Sequence, residues 1–110
     1  MSTWKPAAAV FTGGTLQIQN LVGARVRTQR LLRSFPLFDP VNNAQRTTDL
    51  PMGAIGFVAN PHGANLLIAF PSHPGAAPPA SLAELQRTGR FEVVVVNEPT
   101  FKHQFEIERA

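Results

Sequence analysis

Apolar and polar positions along this chain alternate with the two-residue period of β-strands in several separate pieces, and glycine or proline bounds most of them. Leu16 and Ile18 alternate with Thr15, Gln17 and Gln19, which predicts a short strand. Over 24–28, Ala24, Val26 and Thr28 share one face while Arg25 and Arg27 share the other, so the arginines are expected to face solvent. Leu31, Leu32, Phe35, Leu37 and Phe38 follow without a clean period, predicting a bend or bulge before Pro36 and then a long loop over 39–49. Strands over 53–59 and 65–70 are expected to pair antiparallel across Pro61, His62 and Gly63, with Gly56 marking a close backbone approach or a bulge. The stretch 71–80, with its prolines and Gly75, is a connector.

One helical signal stands out. Ser81 and Glu84 have capping-box spacing, Leu82 and Leu85 fall on one face, and Gly89 follows Arg87, predicting a short helix that packs its leucines on the sheet. The run 91–96 is β-prone throughout and is expected to be a central strand buried on much of both faces. Over 101–108, Phe101, His103, Phe105 and Ile107 are expected to point to the core, with Lys102, Gln104, Glu106 and Glu108 outward. That pattern reads as an edge strand whose charges discourage unwanted pairing.

Composition agrees with a mainly β fold. The chain of 110 residues suits one domain, and 44% hydrophobic against 15% charged residues argues for folding rather than disorder. Ten prolines and eight glycines imply many turns. The expected organisation is a single domain over 1–110: a flexible N-terminal arm over 1–14, a small barrel over 22–96 and an added strand over 101–108. The absence of cysteine excludes disulfides, thiolate metal sites and a cysteine nucleophile. Ala7, Ala8, Ala9, Val10 and Phe11 form too short an apolar run, without a basic start, for a secretory leader, and nothing approaches the roughly 20 apolar residues of a membrane helix. A cytoplasmic bacterial or phage protein, or a virion or other assembly component, with no membrane partner, is the expectation.

The segment Val22-Gly23-Ala24-Arg25-Val26-Arg27-Thr28, a variable loop, the glycine-bearing pair of strands from Leu50 to Phe70, a Pro/Gly connector and the Ser81 helix leading into Val93 together resemble the SH3-like small barrels. KOW-type modules of transcription and translation proteins, and the small docking barrels of photosystem and NDH complexes, are similar at this level. The likeness spans 22–96 and implies an antiparallel barrel in which Gly23 opens a strand, Gly53 and Gly56 shape another, and Phe70 and Leu85 fill the core. The long loop before Asp49 and the strand after Pro99 depart from that pattern. Such a barrel implies binding by loops and a strand face more readily than catalysis.

Charge sharpens where binding is sought. The net charge of +3 is uneven: residues 1–47 carry Lys5, Arg25, Arg27, Arg30, Arg33 and Arg46 against Asp39, while the remainder is net negative. Two binding readings follow. In one, the protein is an assembly module that docks on a protein partner or a second copy through the 39–49 loop, the edge strand or the Phe35-Pro36-Leu37-Phe38 patch. In the other, Arg25, Arg27, Arg30 and Arg33 contact RNA or DNA phosphates. No phenylalanine alternates with these arginines, there is no tyrosine, and Trp4 falls in the expected arm, so a base-stacking platform is not visible. The candidate partner-binding residues are therefore Arg25, Arg27, Arg30, Arg33, Phe35, Phe38 and Arg46.

Catalysis is not expected, and no catalytic, cofactor-binding or metal residue is assigned. His62, His73 and His103 show no metal-ligand spacing, and the adjacent Ser72 and His73 would face opposite ways on a strand. Asp39 and Asp49 flank the long loop as a weak cation signal, and Gly13-Gly14 and Gly53/Gly56 match no phosphate-binding fingerprint.

Overall fold

Strands dominate the computed structural model, which describes residues 3–10, 22–38, 46–62, 65–72 and 81–109. Strands take 55% of the described residues and helices 23%, and every strand pairing is antiparallel, so the fold is mainly β as the alternation implied. The strands are β1 (Thr3–Pro6), β2 (Arg25–Thr28), β3 (Leu32–Pro36), β4 (Thr47–Leu50), β5 (Ile55–His62), β6 (Asn65–Pro71), β7 (Phe91–Asn97) and β8 (Phe105–Arg109). Among the described residues three short helices accompany them, not the single one expected: α1 (Ala7–Val10), α2 (Leu82–Thr88) and α3 (Glu98–Gln104). Six strands form one sheet in the order β1-β8-β2-β5-β6-β7, and β3 and β4 form a separate two-stranded ribbon.

The sheet curls around its inner face. Phe70 on β6 and Phe105 on β8 are separated by two intervening strands, yet their ring centroids lie 6.5 Å apart. The ribbon lies across this concavity and reaches the last strand through a bridge between Leu37 and Val94. Between them are the buried side chains of Val26, Leu32, Leu50, Val58, Leu66, Ile68, Phe70, Val94 and Phe105. A second, smaller cluster on the opposite face gathers Phe57, Ala59, Ala69 and Leu85, with Leu82, Phe91 and Val93 packed against it. α2 covers that face, and its ends form where the sequence placed them: the Ser81 Oγ accepts from the Glu84 N–H at 3.2 Å, and Gly89 ends the helix at φ +68°.

The irregularity before Pro36 is a bulge. Register shifts between Leu32 and Phe35, and Ser34 sits at φ +59° with its N–H donated to the Asp49 carboxylate at 2.9 Å. The loop expected over 39–49 is therefore shorter at its far end, because Thr47, Thr48 and Asp49 belong to β4. The hairpin is likewise tighter than expected: β5 runs through Pro61 and His62, paired with Leu66 and Asn65. Among the described residues Thr28 is the polar side chain buried in the core, and it is satisfied twice, its Oγ1 donating to the Pro51 carbonyl at 2.7 Å and accepting from the Ala54 N–H at 3.0 Å.

Three placements correct the expectations. The arm expected to be flexible over 1–14 contains β1, which pairs with β8, and a helical turn that buries Ala7 in the main core. β7 is the last strand of the sheet, not a central one, and β8 is an interior strand between β1 and β2, not an edge. The strand expected over 101–108 begins only at Phe105, because Asn97 caps a helix whose first turn holds Pro99: the Asn97 Oδ1 accepts the Thr100 N–H at 2.9 Å. Helical spacing then sends Phe101 and Phe105 to the same side, and their rings stack at 5.7 Å, while His103 is exposed instead of facing the core. Asn97→Ala is expected to lower stability by about 1 kcal/mol in chemical denaturation by removing that cap. The expected strand at 15–19, Asp39, His73 and Gly13-Gly14 lie outside the described residues.

Candidate functional site

Alternation on β2 places Arg25 and Arg27 on the sheet face away from the main core, as expected, but not in open solvent. β8 lies beside β2 with Arg27 opposite Glu106, and both arginines meet carboxylates: Arg25 to Glu108 at 3.1 Å and Arg27 to Glu106 at 2.9 Å. β1 lies on the far side of β8 and lays Trp4 over the same pair, with the guanidinium carbon of Arg27 4.5 Å and that of Arg25 5.9 Å from the ring. The two arginine side chains are only 31% and 33% exposed. Pairs this exposed contribute little to stability, roughly 0.2–1 kcal/mol each. Their consequence is electrostatic: each guanidinium already has its anion. Glu106 and Glu108, expected to face outward as deterrents to pairing, serve instead as the cross-strand partners of these arginines.

Sequence reasoning missed Trp4 as a member of this face. The only available signal was its two-residue spacing from Pro6, too short a pattern to predict a strand from so near the terminus. The carboxylates were legible as one alternating face, but not as the face that meets Arg25 and Arg27.

The other candidate arginines lie elsewhere. Arg30 is exposed after β2, Arg33 is exposed on β3 and Arg46 is exposed just before β4; none forms an ion pair among the described residues. Beside Arg30, Leu31 is 50% exposed and, on the neighbouring turn into β5, Met52 is 73% exposed. Asp49, one half of the expected cation pair, spends its carboxylate on the Ser34 N–H. Among the described residues no group of three His, Cys, Asp or Glu side chains converges as a metal site.

The aromatic patch divides as well. Phe35 and Leu37 are half-buried and pack on the main core, and Leu37 and Phe38 also reach the outer edge of β7. There they line an open groove of about 270 Å³ with Arg46, Phe91, Glu92 and Val93. Its position follows from main-chain geometry: the Leu37 N–H donates to the Arg46 carbonyl at 2.9 Å and the Phe38 N–H to the Val93 carbonyl at 2.8 Å, which holds the end of the ribbon against β7. The structure thus brings Phe38 and Arg46 together, from either side of the 39–45 segment, and separates them from the Arg25 and Arg27 face. Phe91 and Val93 join them through the fold alone, being more than 40 residues away along the chain.

No protein-family model, no curated protein and no solved structure matches the chain.

Proposed function

We propose that this protein is a non-enzymatic binding or assembly module that docks on a protein partner through the groove formed by Leu37, Phe38, Arg46, Phe91, Glu92 and Val93. The observation that carries the reading is the groove itself. It joins apolar side chains to one exposed cation and one half-buried carboxylate, a mixed lining suited to an apolar anchor with a polar rim. An SH3-like plan, in which loops and strand edges present binding residues around a small barrel, is part of this proposal; the curled sheet and the ribbon crossing its concave side support it.

Nucleic acid is the second reading, and a specific observation favours it: Arg30, Arg33, Arg46, Arg87 and Arg90 are all exposed, with no ion pair among the described residues. Against it, the pair that alternation first offered for phosphates, Arg25 and Arg27, is already neutralised by Glu108 and Glu106.

Affinity capture from the source cell, with the captured protein identified and the complex rebuilt from purified parts, tests the first reading. Phe38→Ala combined with Arg46→Glu is expected to weaken the rebuilt complex at least about tenfold, since an aromatic anchor and a rim charge are lost together. Arg30→Glu with Arg33→Glu is expected to leave it unchanged. Binding to RNA or DNA that falls steeply with salt, together with a partner complex indifferent to Phe38 and Arg46, would reverse the order of the two readings.

A further inference from the structure

We infer that the outer edge of β7 beside this groove accepts an extended segment of the partner protein as an added β-strand. The inference rests on the docking reading above and names how the same site is filled.

Residues along an antiparallel strand alternate in the direction of their main-chain groups, pointing both N–H and C=O first to one neighbouring strand and then to the other. The Ser72 N–H donates to the Arg90 carbonyl at 3.1 Å, just outside the paired residues Pro71 and Phe91. That bond marks Pro71 and Phe91 as a pair that does not exchange hydrogen bonds, so the N–H and C=O of Phe91 point away from β6. The same parity appears two residues on. Val93 turns its carbonyl to the outer side, where it accepts the Phe38 N–H. Among the described residues nothing continues this pairing to Phe91, which leaves one donor and one acceptor open on a residue that lines the groove.

A donor and an acceptor carried by one strand residue are met together by one residue of another extended chain. A helix has already used its own main-chain groups, and a phosphodiester backbone offers acceptors without donors. Extended peptide is thus the occupant that satisfies both. Side chains alternating along it would reach the groove at every second position, where Phe38 and Phe91 favour an apolar residue.

The two outer strands of the sheet also differ in how they are guarded. β1 carries Lys5 and Pro6, both of which discourage strand addition, whereas β7 reads Phe-Glu-Val-Val-Val-Val-Asn, and among the described residues its outer edge is met at Val93 and Val94, by Phe38 and Leu37.

The test uses random peptides displayed on phage and selected on the immobilised full chain, then synthesised with and without N-methyl groups at alternate backbone positions. Selected peptides are expected to slow hydrogen exchange at the Phe91 N–H, and methylation in one alternating register is expected to weaken binding about tenfold while the other register has little effect. Phe91→Pro removes an N–H that β6 does not use, at the first residue of a strand, where proline is tolerated. It is expected to bind about tenfold more weakly than Phe91→Ala, which loses the same ring. The methylated peptides read the same bond on unaltered protein, independently of how either variant folds. Failure to select any peptide, binding without protection of Phe91, or methylation without effect in either register would overturn strand addition. If the rebuilt partner complex still depends on Phe38 and Arg46 in that case, the docking groove stands and only its mode of filling is wrong. If the complex ignores those residues, the docking reading itself fails.

Discussion

Gly56→Ala is expected to lower stability by about 3 kcal/mol, and Gly56→Val to leave no cooperative unfolding transition. Gly56 lies on β5, opposite Val26, with Phe70 close across the inner face. A Cβ at this position would stand 2.6 Å from the Ala69 carbonyl oxygen and 2.8 Å from two carbons of the Phe70 ring. Only the ring has freedom to move. The carbonyl belongs to β6, which is paired on both sides, so relief would require β5 and β6 to part. Phe70 in turn is buried and packs against Phe105, so displacing its ring disturbs the main core. Equilibrium denaturation of the two variants against wild type measures the effect. A loss under about 1 kcal/mol for the alanine variant would mean that the close approach is not maintained in solution.

Phe105→Ala is the second large effect, expected to cost about 3–5 kcal/mol. Phe105 has no exposed surface and joins three parts of the fold: the stacked ring of Phe101 from α3, Phe70 from β6 and, through its own strand, Thr28 of β2. Truncation leaves a cavity where α3 meets the curled sheet, and the surrounding strands cannot collapse into it without losing their register. A thermal or chemical melt gives the magnitude. Loss of near-ultraviolet signal from Trp4 in the same variant would further show that the pairing of β1 with β8 depends on that junction, since Trp4 lies opposite Glu108.

Both predictions fall where the sequence was most legible. The glycine in a run of β-prone residues signalled a close approach or a bulge, of which the structure has the close approach, and the alternating phenylalanines signalled burial. The buried side of 101–107 was right for Phe101, Phe105 and Ile107 but for mixed reasons. Residues four apart share a side in a helix as well as in a strand, so the spacing between Phe101 and Phe105 satisfies either period, and only the intermediate His103 separates the two. The cap that decides for helix, Asn97 with Pro99 behind it, is local and could have been read before the structure; the stronger alternation downstream masked it.

The binding surfaces were less legible, for a different reason. Composition placed most of the basic residues in the first half of the chain and suggested that they act together. Folding divides them. Arg25 and Arg27 meet carboxylates from the last strand and a tryptophan from the first, whereas Arg46 joins Phe38 and Phe91 at the opposite side of the sheet order. Strand neighbours in space can be any distance apart in sequence, and a period of two residues reports which face a side chain takes without reporting which strand lies beside it.

What the sequence determined by itself was therefore local: the mainly antiparallel β character, the capped helix at Ser81, the irregularity before Pro36, the tight position at Gly56 and the burial of Phe101, Phe105 and Ile107, though not the exposure of His103. Each is set by propensities and steric limits acting within a few residues. Tertiary structure alone decided that β8 lies between β1 and β2, that two of the arginines are neutralised, and that the chain leaving the ribbon meets β7 beside a groove lined by Phe38, Arg46 and Phe91. Those outcomes depend on which strands pair, a choice made by burying the common core, and no short stretch of the chain contains that information.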